Sequence, residues 1–194
     1  CKIARQKQLG RISMHAVPNN NLGAHMRNAI SAVLAAAVLF GCAMNYPQTR
    51  EEFRQQIVAS DSRFKFIDTY VAKRRFDDVV KSLQANVVQC FDQNVTTTRA
   101  QGGMTTMNQT DEWRSSVRVV NRNRAEVTTQ MAMKGAIVPG KVPPGGLYMT
   151  AVDIERLTPS TTKLSYYGST SSGSKERWDL VKQWSDGKPT PCPK

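Results

Sequence analysis

Residues Arg75 to Phe91 read RFDDVVKSLQANVVQCF. Phe76, Val80, Leu83 and Val87, followed by Cys90 or Phe91, recur at spacings of three and four, which is the period of one apolar helix face. The spacing predicts an amphipathic helix of about four turns over Arg75–Phe91. Asp77 and Asp78 fall near its start, where the helix dipole favours negative charge. The stripe is read as core rather than as a cofactor box. Cys90 falls on or beside the buried face in the last turn.

The flanking segments set the fold class. Before the helix, Phe64, Phe66 and Asp68 alternate with Lys65, Ile67 and Thr69 and run into Tyr70-Val71, which reads as a strand. After it, Thr96 to Met107 is rich in Thr, Gly and Met and is expected to form a strand and turn. Trp113, Ser115, Val117 and Val119 then alternate with Arg114, Ser116, Arg118 and Val120. Ala125, Val127, Thr129, Met131 and Met133 alternate with Glu126, Thr128 and Gln130, and Asn121 to Arg124 between the two runs reads as a hairpin connection. Gly135 to Gly146 holds three Pro and four Gly and reads as a loop. Tyr148 to Leu157 and Thr162 to Tyr167 are strands joined by a turn at Thr158–Ser160. Gly168 to Gly173 reads as a flexible linker. Ser174 is expected to cap a final helix whose packing face is Trp178, Val181 and Trp184 or Leu180, with Gly187 as its stop. No strand–helix alternation persists, so a doubly wound parallel sheet is excluded. The expectation is an α+β domain over residues 63–194: one antiparallel sheet of about five strands with two helices packed on one face. Residues 42–62 are polar and read as a tether, with a short helix at Glu51 to Val58.

Hydrophobic residues make up 40% of the 194-residue chain and charged residues 22%, which excludes a disordered polyelectrolyte and a multi-span membrane protein. With 12 Gly and 4 Cys it is neither collagen-like nor a disulfide-dense mini-protein. The net charge of +12 would suggest a nucleic-acid binder. Five of the 27 basic residues and none of the 15 acidic ones precede Cys42, however, which leaves 22 against 15, or +7, for residues 42–194. No nucleic-acid partner is expected on that balance.

Those first residues have their own logic. From Met26 the chain reads MRNAISAVLAAAVLFGC, with Arg27 as a positive start and 12 uncharged residues from Ala29 to Phe40. Such a run is too short for the roughly 20 residues that span a bilayer, and it fits the apolar region of a signal peptide. The plain alternative is a buried core helix. Leu39-Phe40-Gly41-Cys42 resembles the lipobox of bacterial lipoproteins. That resemblance implies diacylglycerol on the Cys42 thiol, cleavage between Gly41 and Cys42, and acylation of the new amino terminus. It also implies a destination: Ala43 follows the cysteine where an Asp would retain the protein in the inner membrane, so the expected site is the outer membrane of the bacterial envelope, facing the periplasm. Two or three acyl chains anchor a protein stably where one does not. Residues 1–25 are expected to be an upstream extension outside the mature protein, and residues 26–41 its signal peptide.

Both histidines, His15 and His25, precede Cys42. A chain starting at Cys42 therefore has no imidazole for Ser-His-Asp or Cys-His catalysis or for zinc. No catalytic residue, metal ligand or cofactor site is expected. Cys90 and Cys192 are left over, and an exported chain would pair them in a disulfide closing a loop of about 100 residues; two unpaired thiols are the alternative. Gly135-Ala-Ile-Val-Pro-Gly-Lys141-Val142 has the spacing of a phosphate loop, but Val142 stands where Ser or Thr should hold magnesium, and Pro143-Pro144 forbids the helix that must follow. Ser172-Gly-Ser-Lys175 has serine acyl-enzyme spacing without its partner motifs. Lys73-Arg74-Arg75 and Arg118, Arg122 and Arg124 are basic clusters suited to anionic envelope material.

The leading expectation is thus a membrane-anchored envelope lipoprotein with a non-catalytic binding or structural role. Its partners would be the membrane, through the lipid, and an envelope protein, glycan or lipid. A carrier of an apolar or lipid ligand is the second reading, with a pocket between the sheet and the Arg75–Phe91 helix lined by Met131, Met133, Met149 and the Trp residues. A Ser/Lys hydrolase using Ser172 or Ser174 is the third.

Overall fold

The computed structural model describes residues 45–101, 105–135, 138–170 and 173–192. Within the unit Met44–Lys194 the order is α1 (Arg50–Ala59), β1 (Lys65–Ala72), α2 (Phe76–Phe91), β2 (Gln93–Gln101), β3 (Thr105–Asn121), β4 (Arg124–Lys134), β5 (Leu147–Thr158), β6 (Thr161–Ser169) and α3 (Ser174–Ser185). The strands form one fully antiparallel six-stranded sheet in the order β1-β6-β5-β4-β3-β2. The α+β class and the antiparallel sheet are as the alternation indicates, with six strands rather than about five and three helices rather than two among the described residues. The additional strand length lies in β2 and the first half of β3. That Thr-rich segment carries no apolar alternation, so its pairing is written only in strand propensity.

Cross-strand register sorts the side chains into two faces. Ala125 sits opposite Ile154, which sits opposite Leu164; Val127 faces Val152, which faces Tyr166. All six are buried, and α2 and α3 cover them. From α2 come Phe76, Val79, Val80, Leu83, Val87 and Phe91; from α3 come Trp178, Val181 and Trp184. Both tryptophans are fully enclosed. Phe91 lies 5.3 Å from Trp184 and Tyr166 5.3 Å from Trp178, so the rings continue one layer between the helices and the sheet. Burial pushes the Tyr166 phenol up to about 12. Trp178 Nε1 donates to Asp68 Oδ2 on β1 at 2.6 Å, and Tyr70 Oη on β1 donates to Asp186 beyond α3 at 2.8 Å. Each element thus satisfies a polar atom of the other.

Helix ends follow local chemistry. Thr49 is the N-cap of α1 and accepts from the Glu52 amide at 3.1 Å. Ser174 is not the cap of α3, as the sequence suggested, but its first helical residue. Gly173 holds the cap position at φ 64°, and the Ser174 hydroxyl bonds the Ser169 carbonyl. Gly168 and Ser169, expected in a linker, complete β6. Gly187 does stop α3, at φ 78°, and a Cβ there would stand 2.7 Å from Arg74 Nη1. Arg74 donates to the Trp184 and Ser185 carbonyls at 3.3 and 3.2 Å, so this member of the Lys73–Arg75 cluster serves the negative end of a helix.

Cys90 and Cys192 are joined by a disulfide, with Cα atoms 4.9 Å apart. The tail that carries Cys192 folds back along α3: Trp184 Nε1 donates to the Thr190 carbonyl at 3.2 Å, and the Thr190 hydroxyl bonds Gln183 at 2.8 Å. Ser82 Oγ adds a bond of 2.8 Å to the Trp184 carbonyl. The bridge closes a span of 102 residues. A Cys90→Ser/Cys192→Ser double variant should lose on the order of 4–5 kcal/mol in urea unfolding; an unchanged midpoint would show that the bond adds nothing to the helix clasp.

Candidate functional site

Gly41 and Cys42, the expected cleavage and lipidation residues, lie outside the described residues, as do Ser172 of the Ser/Lys pair and the apolar run before Cys42. The chain is described from Asn45 onward, and its course there is fixed by specific bonds. Gln48 Nε2 donates to the Tyr46 carbonyl at 2.9 Å and to the Lys141 carbonyl of the β4–β5 loop at 2.8 Å. The Gln48 amide donates to Glu52 at 2.7 Å. The N-terminal lead is therefore laid against the domain directly before α1.

α1 belongs to the domain, although its sequence suggested a tether. Only Phe53 gives it a buried apolar anchor, stacked on Tyr148 of β5 at 6.0 Å. It packs on the opposite face of the sheet from α2 and α3, the face of Glu126, Asp153 and Ser165, which sit opposite one another on β4, β5 and β6. The rest of its grip is ionic. Arg50 Nη2 binds Asp153 Oδ1 at 2.7 Å and donates to the Val152 carbonyl at 2.8 Å, and Arg54 Nη2 lies 3.0 Å from Asp153 Oδ2. Arg118 and Arg124 lie 2.8 and 3.2 Å from Glu126, and Arg50 lies 3.6 Å from it. The Asp153 and Glu126 side chains are only 6% and 9% exposed. Burial alone would push the Glu126 carboxyl up; the Arg118 hydrogen bond and the charges of Arg50, Arg118 and Arg124 overcome this and hold it below its ordinary value. Two of the three arginines expected to face anionic partners, Arg118 and Arg124, thus serve as counter-ions for the sheet. Arg122 is exposed.

Beside this cluster, Tyr46 and Pro47 cross a cleft of about 290 Å³ whose walls include Phe53, Ile57, Leu147 and Met149. Met149, expected against α2, lines this cleft instead. The space between α2 and the sheet is filled by Leu83, Val87, Tyr166 and the two tryptophans. The Gly135–Val142 motif falls between β4 and β5, and the next element after it is a strand, not a helix. Ser174 is buried with its hydroxyl on a backbone carbonyl, and Lys175 is exposed.

The ionic grip was written in the sequence as two charges, Glu126 and Asp153, at strand positions that alternate with buried residues, and as Arg50 and Arg54, four apart on one helix face. Which cations meet which carboxylates depends on a crossing that no local pattern encodes. Asp153→Asn should cost about 3 kcal/mol in urea unfolding, since it leaves Arg50 and Arg54 without their shared counter-charge. Because its pKa is lowered on folding, Glu126 adds stability above the ordinary glutamate value of about 4.3, and this is lost as pH falls through the lower folded value. Glu126→Gln should therefore flatten the acid side of the stability–pH curve, measured by unfolding midpoints.

No family model matches the chain, and no curated protein matches it in sequence. Among solved structures it is similar to the hypothetical protein jhp0584 from Helicobacter pylori, at 12% identity and a TM-score of 0.36 over 69% of this chain and 90% of that one. It is also similar to an uncharacterised protein from Rhizobium leguminosarum, at 12% identity and a TM-score of 0.33 over 64% of this chain and 95% of that one. A third likeness is DynU16, from the dynemicin biosynthetic locus, at 14% identity and a TM-score of 0.28 over 64% of this chain and 44% of that one. Likenesses at this level leave the functional reading to the residues of this chain.

Proposed function

We propose that this protein is a lipid-anchored bacterial envelope lipoprotein with a non-catalytic binding or structural role, held at the outer membrane and facing the periplasm. The observation that carries the reading is Leu39-Phe40-Gly41-Cys42 at the end of an uncharged run that follows Arg27. Acylation at Cys42 supplies the two or three chains that stable anchoring requires. The Cys90–Cys192 bond supports the reading, because export delivers the chain to a compartment where disulfides persist. Ala43, in place of Asp, supports sorting to the outer membrane.

In this role the domain presents a surface and its attached lipid holds it in place. Both helical layers serve rigidity: one is closed by tryptophans and a disulfide, the other by the arginine–carboxylate cluster. Cys42→Ala should move the protein from the membrane fraction to the soluble periplasmic fraction, with loss of the acyl mass on intact-protein mass spectrometry. Unchanged membrane fractionation and a bare Cys42 in native material would overturn the reading.

A further inference from the structure

The sheet has two chemically similar ends, and one of them receives the N-terminal lead. Lys65 pairs with Ser169 and Thr150 with Gly168, so the starts of β1 and β5 lie with the end of β6 at one end of the sheet. The C-terminal turn of α1 is tied to the same end, where Lys65 Nζ reaches the Val58 carbonyl at 3.4 Å and the Thr170 amide donates to the Phe64 carbonyl at 2.7 Å. Tyr46 and Pro47 border the cleft with Ser60 and Leu147 at this end, and Gln48 holds the β4–β5 loop beside them. Three apolar side chains stand in solvent there: Val58 is 55% exposed, Phe64 52% and Val142 38%. Arg63, Lys65 and Lys141 are exposed in the same segments, with Asp61 and, on the Gln48 amide, Glu52 as exposed carboxylates. The Arg63 guanidinium lies over the Phe64 ring at 5.0 Å.

We propose that this end of the domain seats on an anionic bilayer surface, with Val58, Phe64 and Val142 entering the headgroup region and Arg63, Lys65 and Lys141 facing lipid phosphates. The inference rests on lipidation of Cys42. Cys42 lies four positions before Tyr46, a reach of at most about 14 Å when fully extended. An anchor on so short a lead holds this end, and not the opposite one, against the membrane. Apolar side chains ringed by cations suit such an interface, where the apolar groups leave water and the cations meet anionic headgroups. Each cation brought close to an anionic surface strengthens the association by roughly fivefold, and salt screens the effect. The opposite end, at the β3–β4 and β5–β6 turns, exposes Val119, Val120 and Leu157 near Arg122 and is the natural comparison.

The test uses the full chain purified in its native processed form, with the acyl mass on Cys42 confirmed, and reconstituted in vesicles of phosphatidylcholine with or without phosphatidylglycerol. Phe64→Trp and Val120→Trp place a reporter at either end at exposed positions, and each variant is checked for an unchanged thermal midpoint. The Phe64→Trp emission should shift to the blue and be quenched by spin-labelled lipids in the anionic vesicles. The effect should weaken without phosphatidylglycerol or at high salt, and Val120→Trp should show neither change. Quenching of Val120→Trp instead, or equal quenching at both ends, would overturn the docking face while leaving the anchor intact. Unchanged quenching in pure phosphatidylcholine would overturn the requirement for anionic lipid. A copurified lipid that persists after delipidation and abolishes the Phe64→Trp response would assign the cleft to a carried ligand and overturn the docking. Native protein without the acyl mass would overturn the anchor itself, a result distinguishable from all of these.

Discussion

The structure depends on one register. On β4 and β5, residues that alternate along the strand serve two chemically opposite layers. Ala125, Val127, Val152 and Ile154 feed an apolar layer, and Glu126 and Asp153 feed an ionic one. A slip of a single residue would turn the carboxylates into the tryptophan layer and the aliphatic groups out beneath α1, with the cost of burying unpaired charge. The hydrophobic side fixes the register, and the arginines make the alternative more costly still. α1 can therefore bury a single apolar side chain, Phe53, and still belong to the domain, because its partners are held in place by the layer on the other side of the sheet.

The parts that were legible in the sequence are those in which periodicity and burial agree. Phe76, Val80, Leu83 and Val87 mark their helix, and Trp178, Val181 and Trp184 mark the last one; all seven lie in the core. The strands β4, β5 and β6 alternate cleanly because both of their faces are covered by something chemically distinct. The Thr-rich β2 and the start of β3 are extended without a stripe to announce it. The helix of α1 was legible at Glu51 to Val58, but its place in the domain was obscured for a different reason. Amphipathic patterns reveal helices that bury hydrocarbon, whereas Arg50 and Arg54 bind through guanidinium groups, and in the sequence those look like solvated surface. The Cys90–Cys192 bond needed no periodicity; it followed from an expectation of export and from counting cysteines.

Arginine has several distinct uses in this chain. Arg74 satisfies the end of α3, Arg50 and Arg54 fasten α1, and Arg118 and Arg124 neutralise Glu126. The high net charge therefore overstates how much positive surface is available to a partner. Exposed cations remain at both ends of the sheet and on the helices, Lys81 and Lys175 among them, and the attachment of the N-terminal lead makes the two ends of the sheet inequivalent.

The bridge between Cys90 and Cys192 also governs what cleavage can achieve. Every strand from β2 to β6, the long β4–β5 loop and α3 fall within the covalent ring it closes. A protease that nicks the backbone anywhere inside that ring leaves both fragments attached to each other, and so to whatever holds the amino-terminal side. A single cut separates the two sides only in the stretch before Cys90, and from Asn45 to Cys90 most of that stretch is helix or paired strand.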